Sequence, residues 1–127
     1  MKKDIETRND IEVLLNDFYK KVFKDKLIGF FFTEVVPLNL ETHIPVIADF
    51  WESVLLDGKG YRKNVMEIHL NISQKSKIEK QHFDRWVYLF CESVDKFFEG
   101  PKAILAKQRA VSIATMMNLK IEGYHTS

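Results

Sequence analysis

The sequence predicts an all-α fold, and three observations lead there. Glycine and proline are scarce, five and three in 127 residues. They fall between stretches of helical pattern rather than between alternating, strand-like ones. Within those stretches apolar residues recur at steps of three and four, the spacing that places them on one helix face.

The first stripe, Ile11, Leu14, Leu15, Phe18 and Val22, predicts a helix over about 9 to 24. Asn9 followed three residues later by Glu12 has the form of a capping box, with Asn in the usual place of Ser or Thr. Leu27-Ile28-Gly29-Phe30-Phe31-Phe32 is too short and too uniformly apolar for a solvated amphipathic helix. With Pro37 closing the region, it reads as a tight, buried corner. The next stripe is Ile44, Ile47, Ala48, Trp51, Val54 and Leu55, ended by Asp57-Gly58-Lys59-Gly60. Proline is tolerated in a first turn and disruptive later, so Pro45 puts the start of the regular helix near Thr42, or bends an earlier turn.

Residues 57 to 64 form a loop in this reading, and Val65 to Leu70 offers a short helical element that carries His69. A long helix is predicted over about 75 to 98, with Phe83, Trp86, Val87, Phe90, Val94 and Phe97 on one face. Gly100-Pro101 stops it and starts the last helix, since proline suits the first helical position. There Ala106, Ala110, Ile113, Ala114, Met117 and Ile121 make a small-residue stripe that lets a neighbouring helix approach closely. No internal repeat is visible, and the length suits one domain over 1–127, with 1–8 and 122–127 as frayed tails.

Composition narrows the function classes. At 46% hydrophobic and 29% charged residues, the chain has the make-up of a packed globule rather than a disordered one. A formal net charge of +1 leaves no surplus for nucleic acid or an anionic membrane, so neither is an expected partner. No apolar run is long enough to span a bilayer. The one cysteine, Cys91, cannot close an internal disulfide and no signal-like segment opens the chain, so a reducing, cytoplasmic location is expected. The ten phenylalanines suit an aromatic core, or the lining of something flat.

No cysteine pair, His-Glu-x-x-His, glycine-rich phosphate loop or nucleophile elbow is present, which leaves four histidines to consider. His125 belongs to the expected tail. His82 lies one residue off the apolar face of a long helix, where a boundary role is expected. His43 opens the second stripe. His69 differs from these, because Met66, Ile68, Leu70 and Ile72 surround it. A buried imidazole requires a partner for its nitrogen, since leaving it unpaired costs a few kcal/mol, on the order of 1–3. From the residues alone that partner is either a hydrogen-bonding group of the core or a metal. Tyr19, beside Phe18, likewise calls for a partner if its hydroxyl is buried.

An ordered set of residues carries a family resemblance. Asp17-Phe18-Tyr19-Lys20-Lys21-Val22 is followed by Phe31-Phe32, then His43 with Asp49-Phe50-Trp51-Glu52 behind it. Leu55-Leu56, Tyr61, Met66 and His69 come next, then His82-Phe83-Asp84-Arg85-Trp86 with Leu89-Phe90. This set, with its intervals, resembles the group III truncated haemoglobins of bacteria over about residues 9 to 118. The resemblance implies a truncated helical sandwich around one haem b, with His69 as the proximal ligand to its iron. It makes Tyr19, His43 and Trp86 the residues facing a bound gas ligand. It assigns haem contacts to Phe32, His43, Ile47, Trp51, Tyr61, Met66, His69 and Trp86.

What the resemblance implies for function is reversible binding of O2, NO or CO. Redox turnover, such as NO detoxification or peroxide reduction, would need a reductase that the sequence does not reveal. The alternative from another class is a haem-free helical interaction or sensor module, in which the same aromatic residues are merely core. Two departures from the family pattern stand out. Tyr61-Arg62-Lys63-Asn64-Val65-Met66 replaces the usual glycine and proline before the histidine, with Arg62 and Lys63 as candidate partners for a haem propionate. Pro45 follows His43 closely and bears on where that imidazole points.

Overall fold

Four helices organise the residues that this computed structural model describes, which are 2–31, 39–56 and 79–126, with the side chains of 119–126 left aside. They are α1 (Arg8–Lys24), α2 (Leu40–Leu55), α3 (Lys80–Phe97) and α4 (Pro101–Thr126). The loop expected at 57–64, the short element with His69, and the expected first turn of the third helix at 75–78 lie outside the described residues.

The α1 stripe packs as its spacing requires, with Ile11, Leu14, Leu15, Phe18 and Val22 all buried. Its capping box, however, is Thr7 with Asp10 rather than Asn9 with Glu12. The Thr7 hydroxyl accepts from the Asp10 N–H at 3.2 Å, and the Asp10 carboxylate accepts from the Thr7 N–H at 3.1 Å. Asp10 also accepts from the Glu6 N–H and from Lys3 Nζ, so this buried carboxylate closes the whole entry to the helix.

At the exit of α1, the Asp25 carboxylate accepts from the backbone N–H groups of Leu27 and Ile28, both at 3.1 Å, and from Arg85 Nε at 2.8 Å. The chain then folds back so tightly that a Cβ on Gly29 would lie 2.9 Å from the Val22 carbonyl oxygen, which only glycine avoids. The corner is half-buried rather than fully buried as expected. Ile28 and Phe31 enter the core while Leu27 and Phe30 face solvent, because neighbouring side chains in a tight turn point opposite ways.

Helix α2 begins at Leu40, two residues before the expected Thr42, because the Asn39 side chain caps it by accepting from the Glu41 N–H at 2.9 Å. Pro45 therefore lies inside the helix, where it cannot donate to the Glu41 carbonyl. Arg8 reaches across from α1, donating to the Pro45 carbonyl at 3.1 Å while pairing with Asp49 and Glu52. One guanidinium thus ties the start of α1 along the outer side of α2.

The expected N-terminal tail is a correction. Ile5 is fully buried, and the Glu99 N–H donates to the Lys3 carbonyl at 2.9 Å in a short parallel bridge between Lys3 and Phe98. Asp4 then caps α4, its carboxylate accepting from the N–H groups of Lys102 and Ala103 at 3.0 and 2.9 Å. A carboxylate suits this end of a helix, where free N–H groups and the macrodipole both favour negative charge. Gly100, at φ 142°, makes room for it, since a Cβ there would come within 2.7 Å of Asp4. At the other end, the backbone expected to fray from 122 is helical through Thr126.

One core joins the four helices, with α1 packed against α2 and α3, and α4 against α3. The alanines of the α4 stripe are buried, as close helix approach demands. No described helix is long and apolar enough to cross a membrane.

Candidate functional site

The helical spacing that builds the core also leaves a small cavity in it. Leu15, Phe18 and Tyr19 line it from α1, Ile47, Phe50 and Trp51 from α2, Trp86 and Phe90 from α3, and Ile113 from α4. Its volume is about 20 Å³, room for a molecule about the size of water. Six of these nine residues carry no polar side-chain atom, while Tyr19 brings a hydroxyl and Trp51 and Trp86 an indole N–H each.

Tyr19 is buried, and its hydroxyl oxygen lies 2.9 Å from His43 Nε2. The two rings meet edge to face, 5.0 Å apart at 83°. When Nε2 is bare the hydroxyl donates to it, and when Nε2 carries the proton the hydroxyl accepts. Burial pushes the Tyr19 pKa well above that of an ordinary tyrosine, so the hydroxyl stays neutral and keeps its proton available. The question raised by Pro45 has a clear answer here. His43, in the first turn of α2 ahead of the proline, turns its imidazole to Tyr19.

The aromatic walls are tightly ordered. Phe90 stacks with two indoles, 4.9 Å from Trp51 at 19° and 6.0 Å from Trp86 at 15°. Phe18 stands edge-on to Tyr19, Trp86 and Phe90 at 4.9, 5.8 and 5.4 Å. Such edge-to-face and offset arrangements follow the quadrupoles of the rings.

The structure thus brings together five of the residues singled out from the sequence, Tyr19, His43, Ile47, Trp51 and Trp86. Phe32, Tyr61, Met66 and His69 lie outside the described residues. Leu15, Phe18, Phe50, Phe90 and Ile113 share the cavity without having been assigned to it from sequence. Phe18 and Phe90 did carry a signal, being the neighbour of Tyr19 and the residue one helical turn beyond Trp86.

His82 has a different task. Its Nδ1 accepts from the Glu79 N–H at 2.8 Å at the start of α3, and its ring stands 4.9 Å from Phe31. Loss of hydration lowers its pKa below the usual histidine value, against the opposing pull of Glu79. Both observations fit the boundary role expected of it. Among the described residues no group of three or more His, Cys, Asp and Glu side chains is placed to hold a metal ion.

Among the described residues four helices pack around an aromatic cavity that carries a tyrosine–histidine pair, and structural comparison shows the fold to be that of a truncated globin. The comparisons agree. The group 3 truncated hemoglobin ctb of Campylobacter jejuni is 29% identical over 118 residues, which cover 91% of this chain and 91% of that protein. A crystal structure of group III truncated hemoglobin from Campylobacter jejuni matches with a TM-score of 0.80 at 27% identity, over 95% of each chain. No family model matches the sequence. The chain has the truncated globin fold, and it is similar to the group III truncated haemoglobins.

Proposed function

We propose that the chain binds one haem b with His69 as the proximal ligand to iron, and holds a diatomic ligand, O2, NO or CO, on the side walled by Tyr19, His43 and Trp86. Phe32, Ile47, Trp51, Tyr61 and Met66 complete the haem contacts in this reading. The haem, when bound, supplies the iron at which such a ligand attaches. All other contributions come from side chains.

The carrying observation is Tyr19, which lines a largely aromatic cavity sized for a small molecule while its hydroxyl lies 2.9 Å from His43 Nε2. The residues fit the group, since a porphyrin binds largely by burial of a flat apolar surface and these walls are apolar and aromatic. The Tyr19 hydroxyl and the Trp86 indole N–H would stabilise partial negative charge on a diatomic ligand held there. Exclusion of water by Phe18, Ile47, Trp51 and Phe90 strengthens those bonds by lowering the local dielectric. Two donors retain a ligand, which suits slow release better than bulk transport.

The test is spectroscopic. Haem added to the purified chain is expected to produce a strong Soret band and a protein-bound ferrous–CO spectrum, both lost in His69→Ala. No band at all, or a band indifferent to that substitution, overturns the reading.

A further inference from the structure

The Tyr19 hydroxyl is oriented by His43, whereas the Trp86 indole is packed against Phe90 and Phe18, which carry no polar side-chain atom. We infer that Phe90 is a positioning residue, which sets the direction of the Trp86 indole and through it the retention of a gas ligand. This inference rests on the proposed function.

An indole on a helix can turn about two side-chain bonds, so the aim of its N–H depends on what blocks its faces. Phe90 sits one turn after Trp86 on α3, where residues four apart are neighbours. Its ring lies nearly parallel to the Trp86 indole at 15° and to the Trp51 indole of α2 at 19°. Trp51, Phe90 and Trp86 therefore form a three-ring column running from α2 to α3. Phe18 closes the side of that column at 83° to both Trp86 and Phe90, while its ring also meets Tyr19. Phe18 and Phe90 are each only 1% exposed, so neither has room to swing away. A hydrogen bond weakens steeply once its angle falls below about 120°, so a donor freed from the column loses strength without being removed.

The chain's two tryptophans are both in this column, so the near-ultraviolet circular dichroism of the indoles reports on it directly, with or without haem. In Phe90→Leu the indole bands are expected to collapse while the far-ultraviolet helical signal is kept. In the haem-loaded protein the same variant is expected to release O2 about fivefold faster, the equivalent of one hydrogen bond, and to shift the CO stretching band toward that of Trp86→Phe. Placed in a Trp86→Phe background, Phe90→Leu is expected to change the off-rate no further, because it acts through the indole. Phe90→Met, whose flexible unbranched side chain adapts to the space without a flat ring, is expected to behave as Phe90→Leu does and serves if the leucine variant fails to fold.

Normal haem uptake with an unaltered O2 off-rate in these variants overturns the inference and leaves the proposed function standing. So does an effect that persists undiminished without Trp86. If the chain takes no haem, the proposed function falls, and unchanged indole bands in Phe90→Leu would overturn the column's hold on Trp86 as well.

Discussion

Tyr19 shows how much a single side chain depends on its surroundings. Its hydroxyl is buried, so ionising it inside the folded protein is costly, while its 2.9 Å contact with His43 keeps it oriented. One of the four tyrosines is therefore expected to resist alkaline titration when phenolate absorbance is followed. The sign for stability follows from the raised pKa. The native state holds a proton that the unfolded chain gives up near pH 10.0, so this contribution is intact below that pH and lost as pH rises beyond it. Chemical denaturation at several alkaline pH values, compared between the native chain and Tyr19→Phe, checks the loss. In the haem-loaded protein, Tyr19→Phe and Trp86→Phe are each expected to speed O2 release about fivefold, measured by stopped flow. At this scale the sequence was informative about identity and less so about contact. Tyr19, His43, Ile47, Trp51 and Trp86 could be named in advance, but periodicity tells which face of a helix is buried, not which ring will stack on which. That is why Phe90 was read as a member of a stripe and of the family pattern, with no stacking partner assigned.

The corner after α1 is the element on which the geometry of that end of the site depends. Desolvation of the Asp25 carboxyl pushes its pKa up, but Arg85 and two backbone N–H groups outweigh it and hold the group below the usual aspartate range. Its stabilising contribution is thus present above the unfolded value of 3.8 and lost as pH falls through the lower folded value. Asp25→Ala leaves two N–H groups without their acceptor and is expected to cost about 1–3 kcal/mol by urea denaturation at neutral pH. Gly29→Ala is expected to cost a comparable amount, about 1–3 kcal/mol, because the obstacle is the Val22 carbonyl, a piece of backbone that cannot step aside. Element boundaries were legible to within a few residues. Two overlapping Asx or Thr boxes competed at the start of α1, and only the surrounding donors from Lys3 and Glu6 decide for Thr7 and Asp10.

For the molecule as a whole, haem uptake is expected to raise the melting temperature with haemin concentration, since a ligand that binds only the native state stabilises it by mass action. A melting curve indifferent to haemin would favour the haem-free interaction module. The helical architecture was legible because stripes at helical spacing mark local structure. The N-terminal strap was not, since Asp4 looks like any charged residue near a chain end until Lys102 and Ala103 arrive beside it.

That strap also has a consequence for how the chain is made. Asp4 leaves the ribosome well before the N–H groups it caps, which follow 98 and 99 residues later. At a synthesis rate of about 5–20 residues per second, that wait lasts roughly 5–20 s. During it α1 can stand on its own capping box, but Ile5 has no α3–α4 junction to lie against. The strap is thus made early and placed late, and a ribosome stalled before Lys102 carries a chain in which it is still open to proteases.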